Sequence, residues 1–322
     1  MYKIKQVPED FIVEEVSSIV PSNVGSYKYF VLKKRNYTTL DAIQKIADLL
    51  RLDIKHFGFA GNKDKVAVTK QLISVTGISK DKVENIKLRD IELRFVGLGE
   101  SPICLGDLIG NKFTITVRNI DTGPKIIERF PNFFGEQRFS TNNVEIGKAL
   151  IKRDFKHSVE LIVKGKGRFE EKVRRYIRDK RSDYIGALRK IPKKVLKMYM
   201  HAYQSFLWNK IAEEYISSYN GINVKLPIPG FGTEVDDKNV KEVLYRILNL
   251  EKIDLRNFIL KEIPELSAEG GERELYVKIK DFFVTTLEDD EFNRGKKKCV
   301  VKFFLPKGSY ATVAIKYMFE NS

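Results

Sequence analysis

The sequence predicts an α+β protein in which one domain, built from both ends of the chain, is interrupted by a second domain. Three observations lead to this prediction. With 322 residues, 43% of them apolar, the chain is long enough to form two hydrophobic cores. Strand-like patterns are concentrated towards the two ends, whereas long basic helical patterns fill the middle. The predicted domains are residues 1–154 together with 271–322, and an inserted domain over residues 155–270.

The first part of the chain contains both helix and strand signals. Thr38, followed three positions later by Asp41, resembles the capped start of a helix. The segments His56–Ala60 and Val66–Val75 have the aromatic and β-branched residues that are typical of strands. Between them, Gly61–Asp64 favours a turn. We therefore expect a helix followed by two strands, with Asp64 in the loop that joins the strands.

Later segments separate the strand-rich ends from the helical middle. Phe113–Arg118 alternates apolar and polar residues, which predicts a half-buried strand. Phe169–Arg181 and Pro192–Tyr215 have long helical patterns with few strand signals. Strand patterns return at Leu275–Ile279 and Cys299–Leu305. This order is typical of a domain inserted into another domain.

The composition does not favour a metal, a nucleotide cofactor or a membrane. The two cysteines, Cys104 and Cys299, and the three histidines, His56, His157 and His201, are not spaced as zinc ligands. The sequence contains no P-loop and no complete dinucleotide-binding motif. Its apolar runs are too short for a membrane span, and its first residues lack the order of a signal peptide. We expect a cytoplasmic protein that acts without cofactor or metal.

The net charge predicts a polyanionic partner. The chain has a formal net charge of +15 and a sequence pI near 9.5. Lys148–Lys197 contains eighteen Lys and Arg against six Asp and Glu, a surplus of twelve. A heat-adapted surface is the alternative, but it explains a high charged fraction rather than charge of one sign in one segment. The concentration of charge favours nucleic-acid binding.

Five short segments, in the same order, resemble the motifs of the TruD family of pseudouridine synthases. They are KQVPEDF, which starts at Lys5; FAGNKDKVAVTKQ, which contains Asp64; LGDLIGNKFTITVRN; PNFFGEQRF, from Pro131 to Phe139; and FFLPKGSYATV, which ends at Val313. Taken alone, Asp64 would be an ordinary turn residue. The ordered set of five segments covers nearly the whole chain apart from its divergent middle.

The resemblance implies that Asp64 is the catalytic carboxylate. Pseudouridine formation breaks the bond between ribose C1′ and uracil N1 and joins C1′ to C5, so that no atoms are gained or lost. A carboxylate can attack C1′ or take a sugar proton while uracil leaves, and both routes remain open. A cation beside the carboxylate would orient it. By resemblance that cation is Lys5, with Lys63 and Lys65 as alternatives on neighbouring positions.

The resemblance also assigns the residues that bind the target uridine. A base that leaves its stack regains free energy by stacking on aromatic rings. Phe11, Phe134 and Tyr310 are expected to stack, and Asn132 to form hydrogen bonds with the uracil edge. Core positions for the two phenylalanines, and a turn or cap role for the asparagine, are the structural alternatives. Ser140, where the family usually has glycine, departs from the motif.

The implied protein is a tRNA pseudouridine synthase whose usual target in the family is uridine 13 of tRNA. Its catalytic domain would contain a mixed, largely antiparallel sheet, interrupted by an inserted α/β TRUD domain that is basic and binds RNA. We expect a monomer whose partner is tRNA. A non-catalytic RNA-binding or RNA-chaperone protein on the same scaffold is the main alternative. A basic metabolic enzyme, whose charge reflects heat adaptation, is a third.

Overall fold

A computed structural model describes residues 1–139, 142–220 and 224–319. The chain forms two compact units. The first consists of Met1–Phe130 and Val277–Ser322, and the second is Pro131–Tyr276. Ser140 lies outside the described residues.

The strands are numbered in chain order. They are β1 (Phe11–Ser17), β2 (Tyr27–Arg35), β3 (Phe57–Phe59), β4 (Val68–Val75), β5 (Ile91–Gly99), β6 (Leu108–Ile120), β7 (Arg129–Pro131), β8 (Lys225–Ile228), β9 (Gly271–Glu274), β10 (Tyr276–Lys278), β11 (Lys280–Val284), β12 (Glu288–Asp289) and β13 (Lys297–Pro306).

The α-helices are likewise numbered in chain order. They are α1 (Thr39–Leu50), α2 (Lys80–Glu84), α3 (Asn143–Ile151), α4 (Phe155–Ile162), α5 (Arg168–Asp179), α6 (Tyr184–Leu188), α7 (Lys193–Ser218), α8 (Lys238–Glu251) and α9 (Ala311–Phe319). Short 3-10 turns include Pro8–Asp10, directly before β1.

The first unit is built on a mixed sheet. Its strand order is β11-β13-β6-β1-β4-β2-β5, with β12 paired to β13 and β3 paired to β4. The β1–β4 pair is parallel, whereas β1–β6, β6–β13, β2–β4, β2–β5 and β3–β4 are antiparallel. The α+β fold with a mixed, largely antiparallel sheet is thus confirmed.

Helix α1 covers one face of this sheet. The Oγ1 atom of Thr38 accepts a hydrogen bond from the backbone N–H of Asp41 at 3.0 Å, so the predicted helix start is confirmed. Ile43 and Ile46 on α1 are fully buried against the sheet core that includes Phe30. This packing fixes the first turn of α1, which lies beside the loop that joins β3 to β4.

The second unit is organised around α7, the 26-residue helix that carries Trp208. Trp208 is fully buried, and its indole N–H donates to the carbonyl of Leu226 at 3.2 Å. Helix α3 packs closely on α7: a Cβ added to Gly147 would lie 2.2 Å from the carbonyl oxygen of Tyr199. Residues 131–139 and 142–154 fall within this compact unit, whereas the boundary predicted from the sequence places them in the other domain.

In the part of the chain that the structure describes, none of the helices combines the length and the apolar character of a membrane span.

Candidate active site

The loop that carries Asp64 joins β3 to β4 and is held from both sides by buried hydrogen bonds. Thr39, the first residue of α1, accepts from the backbone N–H of Lys63 at 2.9 Å and donates to Gln71 at 2.7 Å. Gln71, on β4, in turn donates to the carbonyl of Gly61 at 3.0 Å. These hydrogen bonds fix the backbone on both sides of Asn62 and so determine where the next residues point.

Lys63 lies in the interior, directed away from Asp64. Its Nζ is 2.6 Å from Glu15 Oε2 and donates to Asn111 Oδ1 at 2.9 Å, and the Glu15 side chain is fully buried. Neighbouring Gly110 allows β13 to approach β6, because a Cβ there would lie 2.2 Å from the carbonyl oxygen of Leu305. Asn111 on β6 therefore holds the Lys63 side chain, and Gly110 beside it allows β13 to pack closely on the same strand.

Lys5 is the cation beside the carboxylate. Its Nζ donates to Asp64 Oδ2 at 2.6 Å, and the side chains of Lys5 and Asp64 are 21% and 32% exposed. The backbone of Lys5 is left-handed, with φ of 59°. The carboxylate is thus fixed by a cation and remains open to solvent on another side. This arrangement is typical of a carboxylate that acts on a bound substrate.

Phe11 lies beneath this ion pair. Its ring is 4.1 Å from Lys5 Nζ and packs edge-on against Phe113, with the ring centroids 6.1 Å apart. Phe11 is 2% exposed. Its position matches the core alternative considered from the sequence, and in this conformation the ring supports Lys5 rather than facing solvent.

A buried network holds the N-terminal segment that carries Lys5. The alternating pattern of Phe113–Arg118 predicts that Arg118 lies on the polar face of its strand. In the structure Arg118 is only 5% exposed. Its guanidinium donates to Asp10 at 2.8 Å, to Asp290 at 3.1 Å and to Glu291 at 3.1 Å. The hydrogen bond from Arg118 is the largest cause that lowers the pKa of Glu291, to about 2. Burial opposes ionisation of Asp290, but hydrogen bonds, the first from the Asn119 N–H, hold its pKa below the usual value.

Lys34 is the residue at this site that the sequence did not single out. It lies on β2, is completely buried, and its Nζ donates to the carbonyls of Tyr37 at 2.5 Å and Asp64 at 2.9 Å. Burial lowers the pKa of Lys34 to about 8, and the charge of Asp64 partly opposes this shift. The signal available in the sequence is that Lys34 lies within a largely apolar strand, Tyr27–Arg35. Because Lys33 directly precedes it, the two lysines together resemble surface residues.

Lys65 is exposed and borders a groove of about 520 Å³ that does not include Asp64. The groove is lined by Arg35, Asn36, Tyr37, Asp41, Gln44, Lys45, Lys65 and Asp90. Of the three lysines considered as partners for Asp64, Lys5 is therefore the one that forms the ion pair.

Asn132 belongs to the second unit, where it is 7% exposed. Its backbone N–H donates to the carbonyl of Leu275 at 2.8 Å, and its Nδ2 donates to the carbonyl of Glu274 at 3.2 Å. Arg273 donates to both the backbone and the side-chain oxygen of Asn132 at 2.7 Å. The side-chain amide is therefore held in one orientation.

Phe134 is half-buried and follows Asn132 by two positions. Its backbone exchanges two hydrogen bonds with the side chain of Asn209 on α7, at 2.9 and 3.0 Å. The ring meets Trp208 at 89°, and the Arg273 guanidinium carbon lies 4.1 Å from the ring centroid. Arg273 thus contacts both predicted uridine-binding residues of this unit.

Tyr310 belongs to the first unit and directly precedes α9. It is half-buried, and its carbonyl accepts from the N–H groups of Val313 and Ala314, at 3.1 and 3.2 Å. The preceding strand, β13, ends at Pro306, which pairs with Gly110. The sheet therefore brings the Tyr310 segment back next to the strand whose Asn111 binds Lys63.

The basic segment Lys148–Lys197 lies within the second unit and presents cations to solvent. Its exposed side chains include Lys164, Lys166, Arg168, Lys172 and Arg178. The interleaved aromatic residues Phe155, Phe169, Tyr176 and Tyr184 pack against the hydrophobic core of the unit. The cations, rather than the rings, therefore form the accessible part of this segment.

Among the residues described, no group of three His, Cys, Asp or Glu side chains is placed to hold a metal ion. Cys104 is exposed and Cys299 is buried, and neither forms a disulfide. Burial raises the pKa of Cys299 to about 11.

Comparison with known proteins identifies the family. The family model for tRNA pseudouridine synthase D (TruD) matches residues 2–180, 162–225 and 215–318. A relative from Pyrococcus abyssi, named "Probable tRNA pseudouridine synthase D", is 31% identical over 98% of this chain and 95% of its own length. A relative of the same name from Methanosarcina acetivorans is 29% identical over 98% of this chain and 91% of its own.

The fold agrees with this match. A crystal structure of a TruD protein from Methanosarcina mazei has a TM-score of 0.76 and 26% identity, covering 99% of this chain and 93% of that one. The family match, together with this fold, defines the protein as a pseudouridine synthase, an isomerase that modifies RNA. The chain belongs to the TruD family of tRNA pseudouridine synthases.

Proposed function

We propose that this enzyme converts uridine 13 of tRNA to pseudouridine, with Asp64 as the catalytic carboxylate and without a cofactor. One observation carries the assignment of Asp64. Its carboxylate is paired with Lys5 at 2.6 Å, yet its side chain remains 32% exposed on a loop that buried hydrogen bonds hold in place. A group that is both fixed and accessible can meet a ribose without a preceding rearrangement.

The chemistry requires one carboxylate and no redox partner. Either Asp64 attacks C1′ with departure of uracil N1, or it removes a sugar proton while the same bond breaks. After the base turns, C5 displaces the carboxylate from C1′ in the first route, whereas in the second route C5 joins C1′ as the abstracted proton returns to the sugar. In both routes the proton on C5 is then lost and N1 is protonated. Lys5 would orient the carboxylate and stabilise its negative charge before the reaction.

Asn132, Phe134 and Tyr310 would recognise the extruded uracil. Asn132 has one further N–H and one further acceptor lone pair beyond its hydrogen bonds with Glu274 and Arg273. These groups match the donor and acceptor edge of uracil. The rings of Phe134 and Tyr310, each half-buried, would stack with the base, and stacking contributes about 1–3 kcal/mol per base.

The Lys148–Lys197 segment would bind the tRNA backbone. Its surplus of positive charge and its exposed lysines favour phosphate contacts. We propose that the enzyme acts on tRNA as a monomer in the cytoplasm. The same surface would also serve a non-catalytic RNA chaperone, but a chaperone has no need of a carboxylate fixed by a cation.

The position of the modification tests the proposed function. An unmodified tRNA transcript and a transcript with cytidine in place of uridine 13 would each be incubated with the enzyme, without added cofactor. Site-resolved chemical mapping should find pseudouridine at position 13 of the first transcript and none in the second. Pseudouridine at another position would overturn the choice of target. No pseudouridine in either transcript, with both still bound, would favour the chaperone.

A further inference from the structure

A fully buried ammonium group lies directly behind Asp64. Lys34 is 0% exposed, and the two acceptors of its Nζ are the backbone carbonyls of Asp64 and Tyr37, at 2.9 and 2.5 Å. A buried charge is costly unless its N–H groups are satisfied. Backbone acceptors cannot rotate away as side chains can. The hydrogen bond therefore ties the peptide unit of Asp64 to β2, whereas the Lys5 ion pair holds its side chain.

We propose that Lys34 is a positioning residue for catalysis: it fixes the backbone of Asp64 through the carbonyl hydrogen bond, and its charge stabilises the negative carboxylate. The inference rests on the proposed catalytic role of Asp64. Lys5 holds one carboxylate oxygen at the surface, whereas Lys34 acts from the interior and does not touch the substrate. Removal of Lys34 would leave the carboxylate present but displaced or less well defined.

The charged groups around Lys34 make this role dependent on pH. Asp64, on the loop, and Asp41, on α1, favour its protonated form, whereas Lys63 and burial disfavour it, burial being the largest cause. The resulting pKa of about 8 means that Lys34 is mainly charged at neutral pH and loses its proton as the pH rises through 8. The neutral amine can still donate to both carbonyls but no longer stabilises the carboxylate by its charge, so the catalytic rate should fall on the alkaline side.

The test is the pH dependence of single-turnover pseudouridine formation, from about pH 6 to about pH 10. The native enzyme should lose rate above pH 8, in line with the pKa of Lys34. Lys34→Arg, which keeps its charge over this range, should lack that decline. Lys34→Met should lower the single-turnover rate by about 10- to 100-fold with little change in the affinity for tRNA, because misplacement of a reacting group has effects of this size.

Lys33→Met is the matched control. Lys33 is the adjacent residue on β2, but its side chain is 41% exposed and pairs with Glu92 at 2.9 Å. This variant should keep the native rate and the native alkaline decline. If folded Lys34→Met also keeps both, the inference about Lys34 is overturned while the role of Asp64 stands. If the native enzyme makes no pseudouridine at all, both proposals are overturned.

A second measurement does not require Lys34 to be replaced. The pKa of Lys34, followed by NMR of isotope-labelled lysine side chains, should fall further in Asp64→Asn, because the charge of Asp64 raises it in the native protein. An unchanged Lys34 pKa in Asp64→Asn would overturn the coupling even if the Lys34 variants failed to fold.

Discussion

At the scale of single residues, Asp64 has three lysines nearby with different roles. Lys5 forms a partly exposed ion pair with the carboxylate, Lys34 donates to its backbone carbonyl, and Lys63 is buried against Glu15. Exposed ion pairs contribute only about 0–1 kcal/mol to stability. The Lys5 pair therefore contributes little to stability, whereas breaking the buried Lys63 pair would cost much more.

Replacement of Lys5 should lower activity without lowering stability. We expect Lys5→Met to reduce kcat by about 10- to 100-fold, because the carboxylate loses the group that orients it, while the melting temperature changes little. Lys5→Arg should recover part of the rate. Single-turnover kinetics and thermal unfolding measure the two effects. A native rate in Lys5→Met would show that the ion pair is not needed for the reaction.

Replacement of Glu15, in contrast, should lower the stability of the protein. Glu15→Gln would leave the Lys63 ammonium buried without its counter-charge, which costs about 3–5 kcal/mol in the free energy of unfolding. Glu14 is the adjacent residue on β1, and its ion pair with Lys70 is exposed at 46% for both side chains. Glu14→Gln should therefore cost less than about 1 kcal/mol. Equal losses for the two variants in urea unfolding would contradict the buried ion pair.

The residues that the sequence could identify are those that motifs name directly. Asp64 and Lys5 came from short segments that resemble the family, and the structure brings them within 2.6 Å. Lys34 was missed because burial of a lysine depends on which strands and helices cover it, and local alternation does not indicate that. Stacking of Phe11 on a base stays a prediction; without substrate its ring contacts Lys5 and Phe113.

At the scale of secondary-structure elements, the N-terminal segment depends on a charge network that joins distant parts of the chain. Arg118 on β6 binds Asp10, just before β1, and also binds Asp290 and Glu291, which follow β12. These ion pairs anchor the segment that carries Lys5. Their strength therefore affects where the cation lies relative to Asp64.

The ion pairs of Arg118 predict that the protein loses stability at acidic pH. The pKa of Glu291 is lowered from 4.5 to about 2, so its stabilising contribution is complete above pH 4.5 and is lost as the pH falls towards 2. The melting temperature of the native protein should thus decline between about pH 5 and about pH 2. Glu291→Gln should decline less steeply, whereas Glu288→Gln, at an exposed position on β12, should follow the native curve. Parallel curves for the native protein and Glu291→Gln would rule out this contribution.

Local elements could be predicted, but their pairing could not. Thr38 caps α1 as expected because a cap depends on residues three positions apart. The parallel pairing of β1 with β4 joins Ile12 to Val68, which no local pattern specifies. That pairing creates the site, since it brings the opening segment next to the strand that follows Asp64.

At the scale of the whole molecule, we expect the distribution of charge to govern substrate binding. The net charge of +15 arises largely from one segment of the second unit. Phosphate contacts release counterions, so the affinity for tRNA should decline steeply with salt concentration. Combined replacement of Lys164, Lys166 and Arg168 by Ala should weaken binding and reduce the salt slope by about 1 for each phosphate that the variant no longer binds.

A matched control uses cations of the first unit. Lys82, Lys87 and Arg89 are also exposed and carry the same total charge. Their combined replacement by Ala should leave the salt slope close to that of the native protein. Equal effects of the two triple variants, measured by filter binding over a range of salt concentrations, would mean that net charge alone determines the affinity.

The sequence predicts a domain inserted over residues 155–270, and the second compact unit spans Pro131–Tyr276. The change in composition near residue 155 suggested the boundary, whereas the compact second unit begins at Pro131. The change in composition near residue 155 reflects charged surface residues. The packing of α3 on α7 involves buried residues, which do not change the composition in a recognisable way. The role of the second unit in RNA binding stays a prediction.

The most direct test of the central claim is pseudouridine formation by Asp64→Asn. The variant differs from the native enzyme by a single isosteric group and should bind tRNA with similar affinity. Under single-turnover conditions, with binding measured on the same tRNA, we expect normal binding and no detectable pseudouridine. Pseudouridine formation at the native rate would contradict the account, because the residue that Lys5 and Lys34 hold in place would then have no part in the reaction.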